Sequence, residues 1–511
     1  MSARYLLGID VGTTAIKAAV FDTDGIEVGS FTAEYTLLTP RAGQVELDVE
    51  TYVTTFALAV RGALQEAAVP ASEIAVLGLS AQGETFCCLD NDNQPIGRAI
   101  VWMDTRAAAE AEIIEEHFGR PTLQTTTGQV SMDSIYPAAK LLWLRTHEPK
   151  RFQNTAKFAL LKDYLVYRMT GRLTSEDSLL CTTMLWDINT RRWWPEMLDY
   201  LGITPEQLPE IAPQGDIVGL LTASAAAELG LPAGLPVSVG ALDQACGALG
   251  IGNAEPGIFS ESTGSALTSV TITDELTLDP AGRVPCFPSA IAGQYMLHCF
   301  STGGMVMRWY RDNFCSSEMQ VESLCGINAY YLIDQEVAQV EPGCEGLIVL
   351  PHLQGSGPPD LDAYARGTIF GLTLAHKKQH LSRGVMEGVT MVLRRMIEAT
   401  AQLGIKVSEI ISLSGGAKSA AWCQIKSDAT GLPLRTLLSA ESAACRGAAL
   451  IAAVGAGLIE SAAPIARQSI DFDRSYQPNP QHTKTYDELF ERYGMLEKAL
   501  KPLLKPAEAA G

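Results

Sequence analysis

Residues 6–22 read LLGIDVGTTAIKAAVFD, an apolar run that a polar turn interrupts. The turn, Gly12-Thr13-Thr14, consists of small residues; Asp10 precedes it and Lys17 follows it. A second turn signal, Asp22-Thr23-Asp24-Gly25, ends the run. This alternation predicts three consecutive antiparallel strands. A carboxylate and a lysine are costly to bury in such strands, so both are candidates for chemistry.

The elements after this meander complete a β-β-β-α-β unit, and the same order recurs later in the chain. Asp48 is a candidate N-cap of a helix that extends to about Ala68, and IAVLGLS (74–80) predicts the next strand. The second copy consists of GIFSESTGSALTSVTIT (257–273), a helix at about 380–402 and VSEIISLSGGAKS (407–419). We interpret the recurrence as an internal duplication with insertions, although chance similarity between buried strands gives the same pattern.

The length of the chain and the position of a Gly/Pro-rich segment predict two domains. At 511 residues the chain is too long for one compact core. A Gly/Pro-rich joint, Gly252–Gly257, precedes the second copy. We therefore expect an N-terminal domain over 1–253 and a C-terminal domain over 254–511, which ends in a helix from about Thr483 to Leu504.

The composition restricts the classes of partner. With 58 Asp and Glu against 38 Lys and Arg, the net charge is −20, and no basic stripe is available to neutralise nucleic-acid phosphates. The 11 cysteines show neither a C-x-x-C spacing nor a Cys/His cluster, so free thiols are expected and zinc is not. No signal-peptide pattern is present, and no apolar stretch reaches the roughly 18 residues of a membrane span. We expect a cytoplasmic protein with small-molecule ligands and no nucleic-acid or membrane partner; a homodimer stays open.

The two small-residue turns are candidates for anion binding. Turns such as Gly12–Thr14 and Thr263–Ser265 expose backbone N–H groups, although a single such turn usually only closes a hairpin. Asp10 beside a phosphate needs a cation between them, which suggests Mg2+. Lys17 either offsets phosphate charge or is an edge lysine that extends to solvent. A Walker A loop is excluded, because the chain has no Gly-Lys pair.

Two further stretches carry candidate residues. In VSVGALDQACGALGIG (237–252), Asp243 is an isolated acid in small and apolar surroundings, and is either a helix N-cap or a catalytic base, or both. The segment Ser414–Lys418 ends a predicted strand and opens a helix, where a nucleotide can approach the backbone closely.

Together these motifs resemble the FGGY carbohydrate kinase family, within the sugar kinase, Hsp70 and actin superfamily. The resemblance runs from the first hairpin to about Gly455. It is carried by GIDVGTT (8–14), W-x-D-x-R (Trp102, Asp104, Arg106), KLLWL (140–144), LTSEDS (173–178), Asp243-Gln244, STGS (262–265), RGTIFGLTLAHKKQHLSRGVMEG (366–388) and SLSGGAKS (412–419).

The resemblance implies a fold, an activity and site residues. The implied fold is α/β, with two duplicated actin-like (ribonuclease H-like) domains and a central cleft that holds Mg-ATP and a sugar. The N-terminal domain is the sugar-binding side and the C-terminal domain the nucleotide-binding side. Asp243 is implied as the general base and, with Asp10, as a holder of Mg2+. The residues implied at the nucleotide are Gly12, Thr13, Thr14, Lys17, Thr263, Gly264, Gly304, Gly415 and Gly416.

The motifs expected at the sugar-binding site are similar to two different groups of family members. Gln82-Gly83-Glu84-Thr85 is similar to glycerol kinase-like members, whereas the W-x-D-x-R motif is similar to xylulokinase-like members. The glycine at 83 is interpreted as room for an acceptor larger than glycerol. Phosphorylation of a ketopentose, xylulose to xylulose 5-phosphate, is therefore favoured. The residues expected at the acceptor are Gln82, Glu84, Trp102, Asp104 and Gln244.

Alternatives stay open at this stage. One alternative interpretation is a glycerol, polyol or gluconate kinase of the same family. Another is a nucleotide-switch sugar sensor on the same fold. The alternative to a sugar contact is that Trp102 packs in the core and that Asp104 and Arg106 form a salt bridge with each other.

Overall fold

The computed structural model describes residues 4–504 and divides into two compact units. The first unit comprises the chain up to Glu255 together with Thr273–Met296 and Glu441–Ile470. The second unit comprises Pro256–Ile272, Leu297–Ala440 and the chain from Asp471. The predicted boundary after residue 253 lies close to the first crossing between units, and two later segments return to the first unit.

The strands and helices alternate along the chain. The strands up to residue 242 are β1 (Tyr5–Val11), β2 (Ala15–Asp22), β3 (Glu27–Glu34), β4 (Glu46–Leu47), β5 (Ile74–Ala81), β6 (Phe86–Leu89), β7 (Ala99–Ile100), β8 (Lys157–Leu160), β9 (Thr174–Ser175), β10 (Trp186–Asp187), β11 (Arg192–Trp193), β12 (Glu210–Ile211), β13 (Ile217–Leu220), β14 (Pro236–Ser238) and β15 (Ala241–Leu242). The later strands are β16 (Ile258–Thr263), β17 (Ala266–Thr273), β18 (Cys286–Pro288), β19 (Tyr295–Thr302), β20 (Ile348–Leu350), β21 (Thr368–Phe370), β22 (Glu409–Leu413), β23 (Leu434–Leu437) and β24 (Phe472–Tyr476). The helices are α1 (Val49–Ala67), α2 (Ala108–Phe118), α3 (Arg120–Thr127), α4 (Pro137–His147), α5 (Pro149–Asn154), α6 (Leu161–Thr170), α7 (Asp177–Leu180), α8 (Pro195–Leu201), α9 (Ala223–Leu229), α10 (Asp243–Gly250), α11 (Gly304–Phe314), α12 (Ser316–Cys325), α13 (Ala329–Val337), α14 (Lys378–Gln402), α15 (Ser414–Lys418), α16 (Ala420–Thr430), α17 (Ala443–Gly455), α18 (Ala462–Gln468) and α19 (Pro480–Leu504). Within residues 4–504, no helix combines the length and the apolar character that a membrane span needs.

The sheet of the first unit is built on the predicted meander. β1 pairs antiparallel with β2, and β2 pairs antiparallel with β3, because short turns separate alternating apolar segments. Asp48 is the N-cap of α1, and β5 then returns parallel to β1. The strand order is β13-β14-β5-β1-β2-β3, and the core includes the inward side chains of β1 and β5 and the apolar stripe of α1. The predicted β-β-β-α-β order is confirmed.

The second unit repeats this arrangement. Its strands lie in the order β19-β17-β16-β22-β23-β24. As in the first unit, the opening strand β16 pairs antiparallel with its hairpin partner β17 and parallel with β22, which follows the long helix α14. The shared order supports the predicted duplication. The last helix, α19, begins at Pro480, slightly earlier than predicted, because proline is favoured in the first turn of a helix.

Helix α17 completes the first unit, although it lies near the end of the chain. It packs against β1, β5 and α10. A Cβ atom at Gly8 would lie 1.9 Å from the carbonyl oxygen of Cys445, and one at Gly78 would lie 2.1 Å from that of Ala448. Only glycine permits this approach of the helix backbone to the sheet. Local sequence patterns do not predict this packing, because the helix and the two glycines lie far apart in the chain.

Candidate active site

The end of β1 carries the first candidate group. Asp10 lies in register with Lys17 on β2 and with Ser80 on β5. The Ser80 hydroxyl donates a hydrogen bond of 2.7 Å to Asp10 Oδ1. Burial raises the pKa of Asp10, while this hydrogen bond and the charge of Lys17 oppose the rise. Lys17 therefore faces a carboxylate; its contact with a phosphate stays a prediction.

Gln82 and Trp102, which were expected at the acceptor, form hydrogen bonds with the first turn, Gly12–Thr14. The N–H of Gly12 donates to the Ala15 carbonyl at 3.0 Å. The Gly12 carbonyl accepts from Gln82 Nε2 at 3.0 Å. The hydroxyl of Thr13 accepts from Trp102 Nε1 at 2.9 Å. Gln82 and Trp102 thus fix the turn Gly12–Thr14, while their contact with a sugar stays a prediction.

Asp104 forms a buried ion pair. Arg106 donates to both of its carboxylate oxygens, at 2.8 and 2.7 Å, and the Val45 N–H donates to Oδ2 at 2.5 Å. The two charged side chains are 0% and 3% exposed. The salt bridge that the alternative interpretation expected is present. Both oxygens of the Asp104 carboxylate therefore already accept strong hydrogen bonds. A contact of Asp104 with the sugar stays a prediction.

Glu84 is held in an unusual backbone conformation. Its φ of 58° lies in the left-handed region, which costs energy for a residue with a side chain. Burial, and then the like charge of Asp243, raise its pKa to about 8, while Lys140 opposes the rise. Glu84 and Asp243 are therefore close enough to repel each other. A Cβ at Gly83 would lie 3.1 Å from Thr182 Oγ1, so the space beside this glycine is filled by protein and does not provide the expected room.

Asp243 opens helix α10. The N-cap is Leu242, so Asp243 is the first helical residue and not the cap. Its Oδ1 accepts a hydrogen bond of 2.6 Å from the N–H of Gln244. Burial and the charge of Asp10 raise the pKa of Asp243 to about 7, which that hydrogen bond opposes. Gln244 lies in the same helical turn, and its contact with the acceptor stays a prediction.

Two buried lysines of this unit, Lys140 and Lys162, were not among the predicted site residues. Lys140 Nζ donates to the carbonyls of Val101 and Trp102, at 3.0 and 2.8 Å. Burial lowers the pKa of Lys140 to about 7, although the charges of Asp104 and Glu84 oppose this. Lysine within an apolar helical pattern, AAKLLWL (138–144), was the signal that could have identified it.

A second buried lysine supports the segment that leads into Asp243. Lys162 Nζ donates to the Val239 carbonyl at 2.8 Å and lies 3.7 Å from Glu176. Glu176 accepts from the Ser178 hydroxyl at 2.6 Å, and that hydroxyl accepts from the Leu242 N–H at 3.0 Å. The backbone is therefore held just before β15, at Val239, and at the last residue of β15, Leu242, directly before α10.

The nucleotide residues predicted in the second unit line one cavity of about 600 Å³. Its lining includes small residues together with the aromatic residues Tyr330, Tyr331 and Trp422. A volume of this size is typical of small-molecule sites. The predicted residues that line it are Thr263, Gly264, Gly304, Gly415 and Gly416.

The turn of this unit repeats the geometry of the first one. The Gly264 N–H donates to the Ala266 carbonyl at 3.0 Å, as the Gly12 N–H does to Ala15. Helix α11 begins against this turn, because a Cβ at Gly304 would lie 2.3 Å from the Gly264 carbonyl oxygen. The positive end of the α11 dipole therefore faces the turn, where it favours an anion.

Comparisons with known proteins agree along nearly the whole chain. Residues 5–250 match the N-terminal domain, and residues 262–456 the C-terminal domain, of the FGGY family of carbohydrate kinases. A xylulose kinase of Bacillus subtilis is 31% identical over 491 residues, which cover 96% of each chain. An autoinducer-2 kinase of Yersinia enterocolitica is 30% identical over 495 residues, which cover 95% of this chain and 92% of that one.

A solved structure, that of a gluconate kinase from Lactobacillus acidophilus, superposes with a TM-score of 0.88 at 26% identity. The match covers 97% of this chain and 98% of that one. The predicted α/β fold with two actin-like domains is confirmed.

Proposed function

The chain belongs to the FGGY family of carbohydrate kinases, and we propose that it phosphorylates a hydroxyl group of a neutral sugar with ATP, most favourably a ketopentose such as xylulose. The observation that carries this proposal is the arrangement of carboxyl groups in the first unit, where Asp10 and Glu84 each lie close enough to Asp243 for like charges to repel. Phosphoryl transfer needs a base on the attacking hydroxyl and strict alignment more than covalent chemistry.

Asp243 is the proposed general base. A base is most effective when its pKa lies near the working pH, and the pKa of Asp243 is raised to about 7. Its place in the first helical turn fixes the carboxylate through the Gln244 N–H, so that one oxygen stays available for a hydroxyl proton.

The residues of the first unit fit a magnesium ion. Mg2+ is usually held by one or two carboxylates and completes its shell with water and phosphate oxygens. Asp10 and Asp243 provide two carboxylates that repel each other, and a cation relieves this repulsion. Among residues 4–504 no group of three His, Cys, Asp or Glu side chains is placed to hold a metal by itself. Bound Mg2+ would neutralise phosphate charge.

The nucleotide residues divide between the units. In the first unit we assign phosphate contacts to Gly12–Thr14 and Lys17. In the second unit we assign them to Thr263-Gly264 and Gly304, and the backing of the adenosine to Gly415-Gly416. The aromatic and apolar lining of the 600 Å³ cavity suits a planar base.

Electrostatics favours a neutral acceptor over a sugar acid. Glu84, Asp243 and Asp10 are acidic, and the ammonium of Lys140 is bonded to two carbonyls. Arg106 is paired with Asp104 and Glu46. Glu84 and Asp243 already have raised pKa values, so a further carboxylate from an aldonate would either meet like charge or require more of these groups to be protonated. Autoinducer-2 is the second candidate, because the Yersinia relative named for it is almost as similar as the xylulose kinase.

A coupled ADP-release assay tests the proposal. The panel contains D-xylulose, other pentuloses, autoinducer-2, glycerol and D-gluconate, with Asp243→Asn as the control for background turnover. We expect the highest kcat/KM with a ketopentose. A preference for gluconate would overturn the electrostatic argument, and ATP binding without turnover on any acceptor would favour a nucleotide-switch sensor.

A further inference from the structure

A buried lysine lies directly beneath the cavity of the second unit. Lys426, on α16, is 1% exposed. Its Nζ donates to Glu261 Oε1 at 2.6 Å, to Thr263 Oγ1 at 2.9 Å and to Ser412 Oγ at 3.3 Å. The three acceptors match the three protons of the ammonium group.

The same network fixes the hydroxyl of Thr263. This hydroxyl donates to Glu261 Oε2 at 2.6 Å while it accepts from Lys426. Ser412 also donates to Glu261. Both hydrogen-bonding roles of the Thr263 hydroxyl are therefore used inside the unit, so that this hydroxyl has no proton left to donate into the cavity.

The network also sets the position of the second cavity loop. A Cβ at Gly416 would lie 2.6 Å from Thr263 Cβ and 3.1 Å from Lys426 Nζ. The hydroxyls of Ser262 and Ser414 are hydrogen-bonded at 2.6 Å. The phosphate turn and the glycine loop thus rest on each other and on the same ion pair.

We propose that Lys426 and Glu261 are positioning residues for the nucleotide, because they hold the Thr263-Gly264 turn against the Gly415-Gly416 loop in the conformation that lines the cavity. This rests on the proposed function, which places ATP in that cavity. A buried ion pair rarely stabilises a fold more than an apolar pair of equal volume does. What the pair provides is a single geometry for the groups bonded to it.

The double variant Lys426→Met/Glu261→Gln tests this without leaving an unpaired buried charge. ATP affinity by calorimetry, KM for ATP and KM for the acceptor are measured well below the unfolding temperature. We expect ATP binding to weaken by about tenfold or more, with the acceptor KM unchanged. The matched control is Arg383→Met/Glu387→Gln, another buried ion pair of this unit, which bonds to Tyr486. It should leave ATP affinity within about twofold.

The outcomes separate the two proposals. If the wild-type protein does not bind ATP, the proposed function fails. If the wild type binds ATP and the double variant binds it equally well, the positioning role fails. Should the double variant lack a cooperative unfolding transition, Thr263→Val replaces it. This change keeps the shape of the side chain and removes the hydroxyl through which Lys426 and Glu261 hold the turn, so unchanged ATP affinity in Thr263→Val would equally overturn the proposal.

Discussion

Replacement of Asp243 by asparagine should abolish turnover and at the same time stabilise the protein at alkaline pH. Asparagine has the same shape, and its Oδ1 can still accept the 2.6 Å hydrogen bond from the Gln244 N–H. What it removes is a carboxylate whose pKa burial and the charge of Asp10 raise from 3.8 to about 7. The loss of a general base costs roughly 10²–10⁴ in rate.

The sign of the stability effect follows from the two pKa values. Because the unfolded carboxyl releases its proton near pH 3.8 and the folded one near pH 7, ionisation disfavours folding above pH 3.8. The penalty grows until the folded group also ionises and is constant at higher pH. The gap between the two values corresponds to an upper bound of about 4 kcal/mol at pH 8 and about 2 kcal/mol at pH 5. Partial solvent access lowers both figures.

Urea unfolding of the metal-free protein, in the presence of a chelator, measures this effect. We expect Asp243→Asn to raise the urea midpoint at both pH values, and more at pH 8. Asp187→Asn is the matched control of opposite sign, because hydrogen bonds from Asn189 and Thr190 lower the pKa of Asp187. An Asp243→Asn variant that is no more stable than wild type at pH 8 would contradict the expected effect on stability. One that retains more than about a tenth of the turnover would contradict the role of Asp243 as general base.

Three further outcomes are expected. Gly416→Ala should weaken ATP binding in calorimetry, since its Cβ would lie 2.6 Å from that of Thr263, whereas Gly494→Ala on α19, where a Cβ would meet nothing within 4 Å, should bind ATP normally. Equal affinities of the two variants would contradict the cavity assignment. Asp104→Asn should lower the free energy of unfolding by about 3 kcal/mol, because the buried guanidinium group of Arg106 loses the negative charge of its partner. A change confined to the KM for the acceptor would instead indicate that Asp104 contacts the sugar. Glu84 has a pKa of about 8, so the KM for the acceptor should rise above pH 8, where Glu84 loses its proton. This pH dependence of KM should be absent in Glu84→Gln. A parallel rise in Glu84→Gln would rule out Glu84 as the source of the pH dependence.

The predictable part of the fold is the part that local patterns determine. The meander, helix α1 after Asp48 and the two small-residue turns follow from the spacing of apolar residues and turn residues. The strand-to-helix pattern also indicates the segment Ser414–Lys418, and the resemblance added Gly304. The structure brings Gly304, Gly415 and Gly416 to one cavity.

The remaining features depend on contacts that are distant in the chain. The sequence shows that Gln82 and Trp102 lie near a turn, but not that their donors are directed at Gly12 and Thr13. Likewise, the partner of Lys426 is Glu261, which is separated from it by most of the second unit. Only the tertiary fold decides which buried charges form a pair, so the pair of Lys426 and Glu261 was not distinguished in advance.

The position of α17 also has a consequence for biosynthesis. Gly8 and Gly78, which this helix covers, are translated early, whereas the helix itself begins at Ala443. At common elongation rates the interval after Glu255 is on the order of tens of seconds. During that time the nascent first unit exposes one face of its sheet, so its last folding step must wait for the second unit to be made. A fragment that ends at Glu255 should therefore aggregate, unless residues 441–470 are supplied in trans.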